Sequence, residues 1–531
     1  MRQSNHLVFR LAIILFAFLL LACGPNLGRL LGRDDAPQDT LVAATATIAQ
    51  VEAEAQQQAS SSDSEEALAV TATDTEDLRE AVTVEGMRRH LEKLQEIADA
   101  NGNTRASGTP GYDASAAYVQ AQLEAAGYEV MVQSFEFDFF EDATVLEQVE
   151  PDNSTYRYFN DFATMTFSPG GEAAAPIQPV GLRAPLRGSS DSGCREVDFV
   201  EFEPGNIALI KRGVCPFAEK AKNAQDAGAS AVLIFNDAAQ PQRERVVFGT
   251  LGEDGAVDIP VVGLTFALGE DLYRRSQDGE VVIHVEAEVI RDRRETVNII
   301  ADTPAGRDDF IVVVGGHLDS VPAGPGIQDN GSGVAAILET ALQMAELGIE
   351  PQNKVRFAFW GAEEFGLLGS RHYLENLSRD EREQIALNLN FDMIASPNYG
   401  RFVYDGDHSE FSAAAIGAPA PDGSGAIEQV FHDYFTDQDL ALAETPFDGR
   451  SDYGPFIQAG IPAGGLFTGA EETKGMAEVS LYGGVEGDSY DACYHLPCDT
   501  IDNINWQAMD EMGDAAAHAV MIFAMTDKPA E

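Results

Sequence analysis

The alternation of apolar and polar positions divides the chain into stretches of different character. Residues 11–22 form one unbroken apolar run, preceded by Arg2, His6 and Arg10. A bilayer span needs roughly 20 such residues, so the run reads as an export signal over residues 1–22. Residues 23–82 are rich in Ala, Thr, Ser, Gln and acids and poor in large apolar side chains. Such a stretch cannot bury enough surface to fold, and is predicted to be a disordered tether. From Thr83 the pattern turns helical: Val84, Met87, Leu91, Leu94 and Ile97 share one face. A second helix carries Tyr118, Val119, Leu123 and Ala126 and stops at Gly127. Alternation of Val130, Val132, Phe135 and Phe137 predicts a strand over 129–138.

The texture then changes. Across 141–295, short β-like runs at 208–210, 231–235, 261–264 and 281–285 surround one amphipathic helix at 217–227, with Pro, Gly and acidic turns between them. From Thr296, apolar runs at 298–301, 310–314, 355–360, 387–391 and 463–467 alternate with helical patterns, of which 333–347 is the clearest. Apolar strands separated by helices predict an α/β fold: a mostly parallel sheet with helices on both faces. Residues 83–140 and 296–531 are therefore read as one domain, and 141–295 as a β-rich insertion into it.

Charge and cysteine content narrow the setting. The chain has 34 Lys and Arg against 87 Asp and Glu, a formal net charge of −53. A surface this acidic repels phosphate backbones, so a nucleic-acid partner is excluded as an expectation. Leu20-Leu21-Ala22-Cys23 resembles a bacterial lipoprotein box, which implies lipidation at Cys23. The expected location is then the cell envelope, or the medium if the signal is simply secretory, with membrane contact only through the lipid. Apart from Cys23 there remain Cys194, Cys215, Cys493 and Cys498. Outside the cytosol, four cysteines predict two disulfides. Three pairings are possible, and sequence proximity favours Cys194–Cys215 with Cys493–Cys498.

Candidate chemistry gathers where strands end. His317 follows the apolar run 310–314, and in open parallel sheets ligands bind beyond the carboxyl ends of strands. Asp319, two residues on, returns to the same face, where its carboxylate would hold the imidazole in one tautomer. Asp329 and Asn330 open the helix at 333 and also suit its N-terminus. The adjacent Glu363 and Glu364 follow strand 355–360, and Asp392 ends strand 387–391 between Phe391 and Met393. Neighbouring carboxylates in apolar surroundings are costly unless they bind cations. His495 sits between Cys493 and Cys498. Two histidines and three carboxylates, with no thiolate, are the ligand set of a site for two divalent ions, zinc first.

Gly316-His317-Leu318-Asp319-Ser320, Asp329-Asn330-Gly331-Ser332-Gly333, Ala362-Glu363-Glu364-Phe365-Gly366, Asn390-Phe391-Asp392-Met393-Ile394 and Cys493-Tyr494-His495 resemble the family of di-zinc bacterial leucyl aminopeptidases and vacuolar aminopeptidase Y. Gly449-Arg450-Ser451-Asp452-Tyr453 and Gly464-Gly465-Leu466-Phe467 extend the likeness. The resemblance implies the zinc exopeptidase fold and two Zn²⁺ per chain. His317 and Asp392 would hold one ion, Glu364 and His495 the other, and Asp329 would bridge. Glu363 would be the general base and Tyr494 an oxyanion donor. Peptides would be the substrates. Arg450 is a candidate for organising the pocket for the free α-amino group, with a surface ion pair as its plain alternative. Met393 and Phe467 are candidates for walls of a pocket for Leu-like residues, or else core. Gly205-Asn206-Ile207-Ala208-Leu209-Ile210-Lys211-Arg212-Gly213-Val214-Cys215-Pro216-Phe217 and the Ala227–Asn236 segment resemble the protease-associated domain, a module without catalytic residues. A carboxypeptidase, a glutaminyl cyclase on a related scaffold and a non-enzymatic receptor are the alternatives weighed. The first needs a cationic clamp, the second works with one zinc, and the third should have lost ligands.

Overall fold

The computed structural model describes residues 74–239, 241–252, 257–412 and 420–526. The expected signal at 1–22, the lipidation site Cys23 and most of the tether lie outside them. Folding starts earlier than the tether reading allowed. Glu76–Ala81 is a helix, with Leu78 and the following Val82 buried and Arg79 forked onto Asp514 at 3.0 and 2.9 Å. Six helical residues are too few to give a periodic signal, so the boundary at 82 falls one helix late.

The main sheet runs in the order Ala443–Thr445, Phe402–Tyr404, Ala463–Phe467, Ile385–Phe391, Arg307–His317, Asn353–Trp360 and Val282–Asp302. Ile385–Phe391, Arg307–His317 and Asn353–Trp360 are mutually parallel neighbours, and Ala463–Phe467 is parallel to the first of them. Helices cover both faces. On one, Val84–Ala100, Pro110–Ala125, Gly331–Glu346, Ser424–Asp437 and Trp506–Met525 share a single apolar core with the sheet. On the other, Leu368–Asn376 and Tyr453–Gln458 pack around Trp360, Tyr373 and Phe456. Both-sided burial explains why the central strands are continuous apolar runs rather than alternating ones.

One helix shows how tightly its start is specified. Asn330 caps Gly331–Glu346 by accepting from Gly333 N at 3.0 Å, and its amide also donates to Phe391 O at 2.8 Å. A Cβ on Gly333 would lie 2.1 Å from Phe391 O, so only glycine lets this helix end approach the Asp392 strand.

A second sheet lies within the inserted stretch. Gly171–Pro179, Ile207–Lys211, Ala231–Phe235 and Val261–Leu264 run parallel, with Phe162–Thr164 antiparallel at the edge. The expected boundaries at 140/141 and 295/296 fall inside a long two-stranded ribbon. Glu129–Glu150 pairs with Val282–Asp302 from Glu129 opposite Asp302 to Glu150 opposite Val282. The ribbon passes from one sheet to the other: residues 299–302 pair with Asn353–Trp360, and 282–287 with Gly171–Pro179. The acidic residues at 141–142 and the charged run at 291–295 look like turns in sequence, yet they belong to continuous strands, with Glu141, Asp142 and Arg294 half-buried and most of 291–295 exposed. Both disulfides favoured by proximity are formed, Cys194–Cys215 and Cys493–Cys498, with Cα atoms 5.9 and 5.3 Å apart.

Candidate metal centre

The carboxyl ends of the parallel strands bring side chains together from segments nearly 180 residues apart. His317 is the last residue of its strand. Its Nε2 lies 3.3 Å from Asp329 Oδ1, 3.2 Å from Asp392 Oδ1 and 3.9 Å from Glu363 Oε2. His495 Nε2 lies 3.1 Å from the other Asp329 oxygen and 3.1 Å from Glu364 Oε2. The Asp329 carboxylate thus sits between two imidazoles, one oxygen turned to each. Asp392 Oδ2 accepts from Ser451 Oγ at 2.6 Å, and Ser451 is itself held by Asn390 at 2.8 Å. Tyr494 stacks on His495 with ring centroids 3.8 Å apart.

Asp319 does something different from the expectation. The His317 Nδ1–H donates to the main-chain carbonyl of Asp319 at 3.0 Å, while the Asp319 carboxylate stays 3.8 Å away. After Leu318 the chain leaves the strand, so the carbonyl rather than the side chain faces the ring. The consequence for tautomer is the same: Nδ1 carries the proton and the Nε2 lone pair points into the cluster. The Asp319 carboxylate instead accepts from Glu363 N at 3.2 Å, linking the His317 loop to the glutamate loop.

Burial sets the charge balance. Six carboxyl groups, Asp319, Asp329, Asp392, Asp452, Glu363 and Glu364, gather around His317 and His495, with the buried Arg105 guanidinium as the further cation near Asp319 and Asp329, and Asp319 and Asp452 are wholly buried. Burial pushes the Asp319 carboxyl up to about 8 and that of Asp452 up to about 7, and drives Glu363 well above its ordinary value. Burial alone would lower His317; its carboxylate neighbours outweigh this and raise it. Asp319 Oδ2, Glu364 Oε1 and both Asp452 oxygens are buried without a hydrogen-bond partner. A buried excess of carboxylate with orphaned oxygens and inward-facing imidazole nitrogens is what divalent cations would neutralise. The residues present therefore fit a pair of zinc ions.

Arg450 lies 3.6 Å from both Glu471 and Glu472, and its guanidinium is also close enough to Tyr494 to interact with it electrostatically. Phe467 packs against Phe402 and the core of one sheet face. Met393 is buried, with φ of 56°, its N–H donating to Asn330 Oδ1 at 3.1 Å.

Several supporting residues left no signal in sequence. Arg105 is fully buried and donates to the carbonyls of Leu318, Pro325 and Gly326, pinning the loop between His317 and Asp329. Ser107 accepts from Ala362 N at 2.7 Å, beside Glu363. Asp499 accepts from Gln328 N at 2.9 Å and Asp329 N at 3.0 Å, tying the disulfide loop to the bridging aspartate.

An α/β sheet with imidazoles and carboxylates converging at its strand ends is the setting of a metal-dependent hydrolase. Comparison places it more closely. Residues 298–520 match the model of peptidase family M28, and 179–272 match the PA domain. An aminopeptidase of Pseudomonas aeruginosa is 44% identical over 442 residues, covering 83% of this chain and 81% of the relative. The probable lipoprotein aminopeptidase LpqL of Mycobacterium tuberculosis is 43% identical over 454 residues, covering 84% and 86%. Among solved structures, the aminopeptidase of Aneurinibacillus sp. strain AM-1 superposes with a TM-score of 0.63 at 25% identity, covering 86% of this chain and 98% of that one. The zinc aminopeptidase of Bacillus subtilis gives 0.56 at 26%, covering 82% and 94%. The chain belongs to peptidase family M28 and carries a PA domain.

Proposed function

We propose that the protein is a zinc-dependent aminopeptidase that removes the first residue of peptides, with a preference for apolar residues such as Leu. The observation that carries this reading is the Asp329 carboxylate, with its oxygens 3.3 and 3.1 Å from the Nε2 atoms of His317 and His495. His317 and Asp392 would hold one zinc, Glu364 and His495 the other, and Asp329 would bridge them. Bound zinc supplies Lewis-acid polarisation of the scissile carbonyl and brings the pKa of a water from 15.7 to roughly 7.

The protein's own side chains do the rest. Glu363 accepts the proton of the attacking water and later delivers it to the leaving amine. Its main-chain N–H is fixed by the Asp319 carboxylate, which restricts where that base can point. The Tyr494 hydroxyl donates to the carbonyl oxygen as negative charge grows there. A free α-amino group is attracted by the surplus carboxylates around Glu363 and Asp392, which selects chain ends over internal bonds. Relatives named aminopeptidase and leucine aminopeptidase support the reaction and the side-chain preference. The lipoprotein relative and the two disulfides support export, with Cys23 as the anchor.

The test is turnover of leucyl-p-nitroanilide with and without chelator, beside an N-acetylated peptide. Chelator-sensitive turnover of the first and resistance of the second are expected; cleavage of the blocked peptide overturns the assignment. Glu363→Ala should keep both metals and lose about 10²–10⁴-fold in kcat. Unchanged kcat would remove Glu363 from the role of base.

A further inference from the structure

The ribbon does more than connect two sheets. Phe135, Phe137 and Phe139 on one strand pack against Ala362, Phe365 and Leu368 of the glutamate loop. At about 3.3 Å per residue, Ala143 lies some 13 Å further along that strand. There the ribbon comes next to Leu496 and Pro497, which follow His495 directly in the chain. A cleft of about 510 Å³ opens between them. That is within the usual range of about 300–1,000 Å³ for ligand sites.

Its chemistry is one-sided. Ala143 pairs with Glu288 and Val145 with Glu286 across the ribbon. Directly opposed residues, and residues two apart, point to the same face. The wall is therefore an exposed pair of carboxylates flanked by Ala143 and Val145, and the lining also includes Tyr158, Phe159 and Asp142, whose carboxylate accepts from the Tyr158 hydroxyl at 2.9 Å. Leu496 and Pro497 form the facing apolar wall, and no Lys or Arg lines the cleft among the described residues.

We infer that this cleft between the inserted domain and the Cys493–Cys498 loop receives the substrate chain downstream of the scissile bond and selects basic residues there. The inference rests on the aminopeptidase reading and gives the inserted domain a part in choosing substrate. Apolar walls suit the stems of Lys and Arg, and Glu286 and Glu288 suit their charged ends. A peptide held at its amino end by the metal centre and at a later basic residue by the ribbon would be anchored at two points.

The experiment compares kcat/KM for Leu-Gly-Gly-Lys-Lys and Leu-Gly-Gly-Glu-Glu on the full chain at low salt, with leucyl-p-nitroanilide as a substrate too short to reach the ribbon. The Lys peptide should be favoured by about fivefold or more. The chain's overall acidity also attracts cations, so the deciding measurement is that ratio in the Glu286→Gln/Glu288→Gln variant. It should fall at least about threefold, whereas Glu196→Gln/Glu201→Gln, an equal charge change elsewhere on the inserted domain, should keep the wild-type ratio. Glu288→Lys should lower the ratio further and serves if the double variant is poorly folded. A ratio the same in all variants overturns the cleft and leaves the aminopeptidase reading intact if leucyl-p-nitroanilide is turned over. Failure to cleave any of the three substrates overturns both.

Discussion

Among the described residues, two clusters bring three or more His, Asp and Glu donor atoms within 4.8 Å of one another, yet they are built for different ends. At the strand ends, the Nε2 atoms of His317 and His495 face Asp329, Asp392 and Glu364, and several buried carboxylate oxygens there have no hydrogen-bond partner. The second cluster is Asp405, Asp407, Glu428, His432 and Glu444. There Asp405 accepts from the N–H groups of Ser409, Glu410 and Phe411. Glu428 accepts from Gly406 N at 2.8 Å and Asp407 N at 3.1 Å. Both bonds fall on Oε2, which with Asp405 is committed to holding a loop, whereas Glu428 Oε1 lies 3.6 Å from His432 Nε2, a buried atom without a hydrogen-bond partner. Proximity of acids is thus a poor guide to a metal; whether their oxygens are spoken for decides it.

The largest effect should come from exchanging one aspartate in each cluster. Asp329→Asn removes the carboxylate that faces both histidines. The purified variant should carry fewer than two zinc ions by metal analysis and show no measurable leucyl-p-nitroanilide turnover. Asp405→Asn should keep the wild-type metal content and kcat and lose about 1–3 kcal/mol of stability, because its amide turns an N–H toward backbone donors. Loss of a metal ion from Asp405→Asn would break the contrast.

A smaller effect separates ligands from the residues that place them. Arg105 spans three carbonyls of the His317–Asp329 loop with a planar fork. Lysine offers a single ammonium and cannot reach all three. Arg105→Lys should weaken zinc about 10–100-fold in competition with a chelator, with activity returning as zinc is raised. A lowered melting temperature with unaltered zinc affinity would make Arg105 a purely structural residue.

The same contrast explains what could be read from sequence. His317, Glu363 and Asp392 each follow an apolar run, so strand periodicity and residue chemistry pointed to one end of one sheet. Arg105, Ser107 and Asp499 act through main-chain atoms of segments remote in sequence, such as Leu318, more than 200 positions from Arg105, and such bonds leave no local pattern. Asp319 was expected to work through its carboxylate; a chain that bends after Leu318 hands that task to the carbonyl. The ribbon was half legible. Alternation is visible over 129–138, but Glu141 and Asp142 break the apolar pattern, because there the half-buried positions are taken by carboxylates, that of Asp142 accepting from the Tyr158 hydroxyl.

The smallest effect concerns pH. Burial, with Asp407 and Glu444 nearby, pushes the Glu428 carboxyl up to about 7 from its ordinary 4.5. Asp405 and His432 also face it. The sign follows from the raised value. Below pH 4.5 the side chain is protonated both folded and unfolded, and the stabilisation is fully present. Between 4.5 and 7 the unfolded chain sheds the proton first, so stability falls as pH rises, and above 7 that contribution is gone. Glu428→Gln keeps an acceptor for Gly406 and Asp407 but has no proton to lose. Its melting temperature should gain on the wild type as pH goes from 4.5 to 8, most steeply between 5 and 7. A difference constant with pH would mean that folding leaves the Glu428 carboxyl at its ordinary value. If added zinc or calcium raised the wild-type melting temperature at pH 8 and left that of Glu428→Gln unmoved, the second cluster would be a cation site after all.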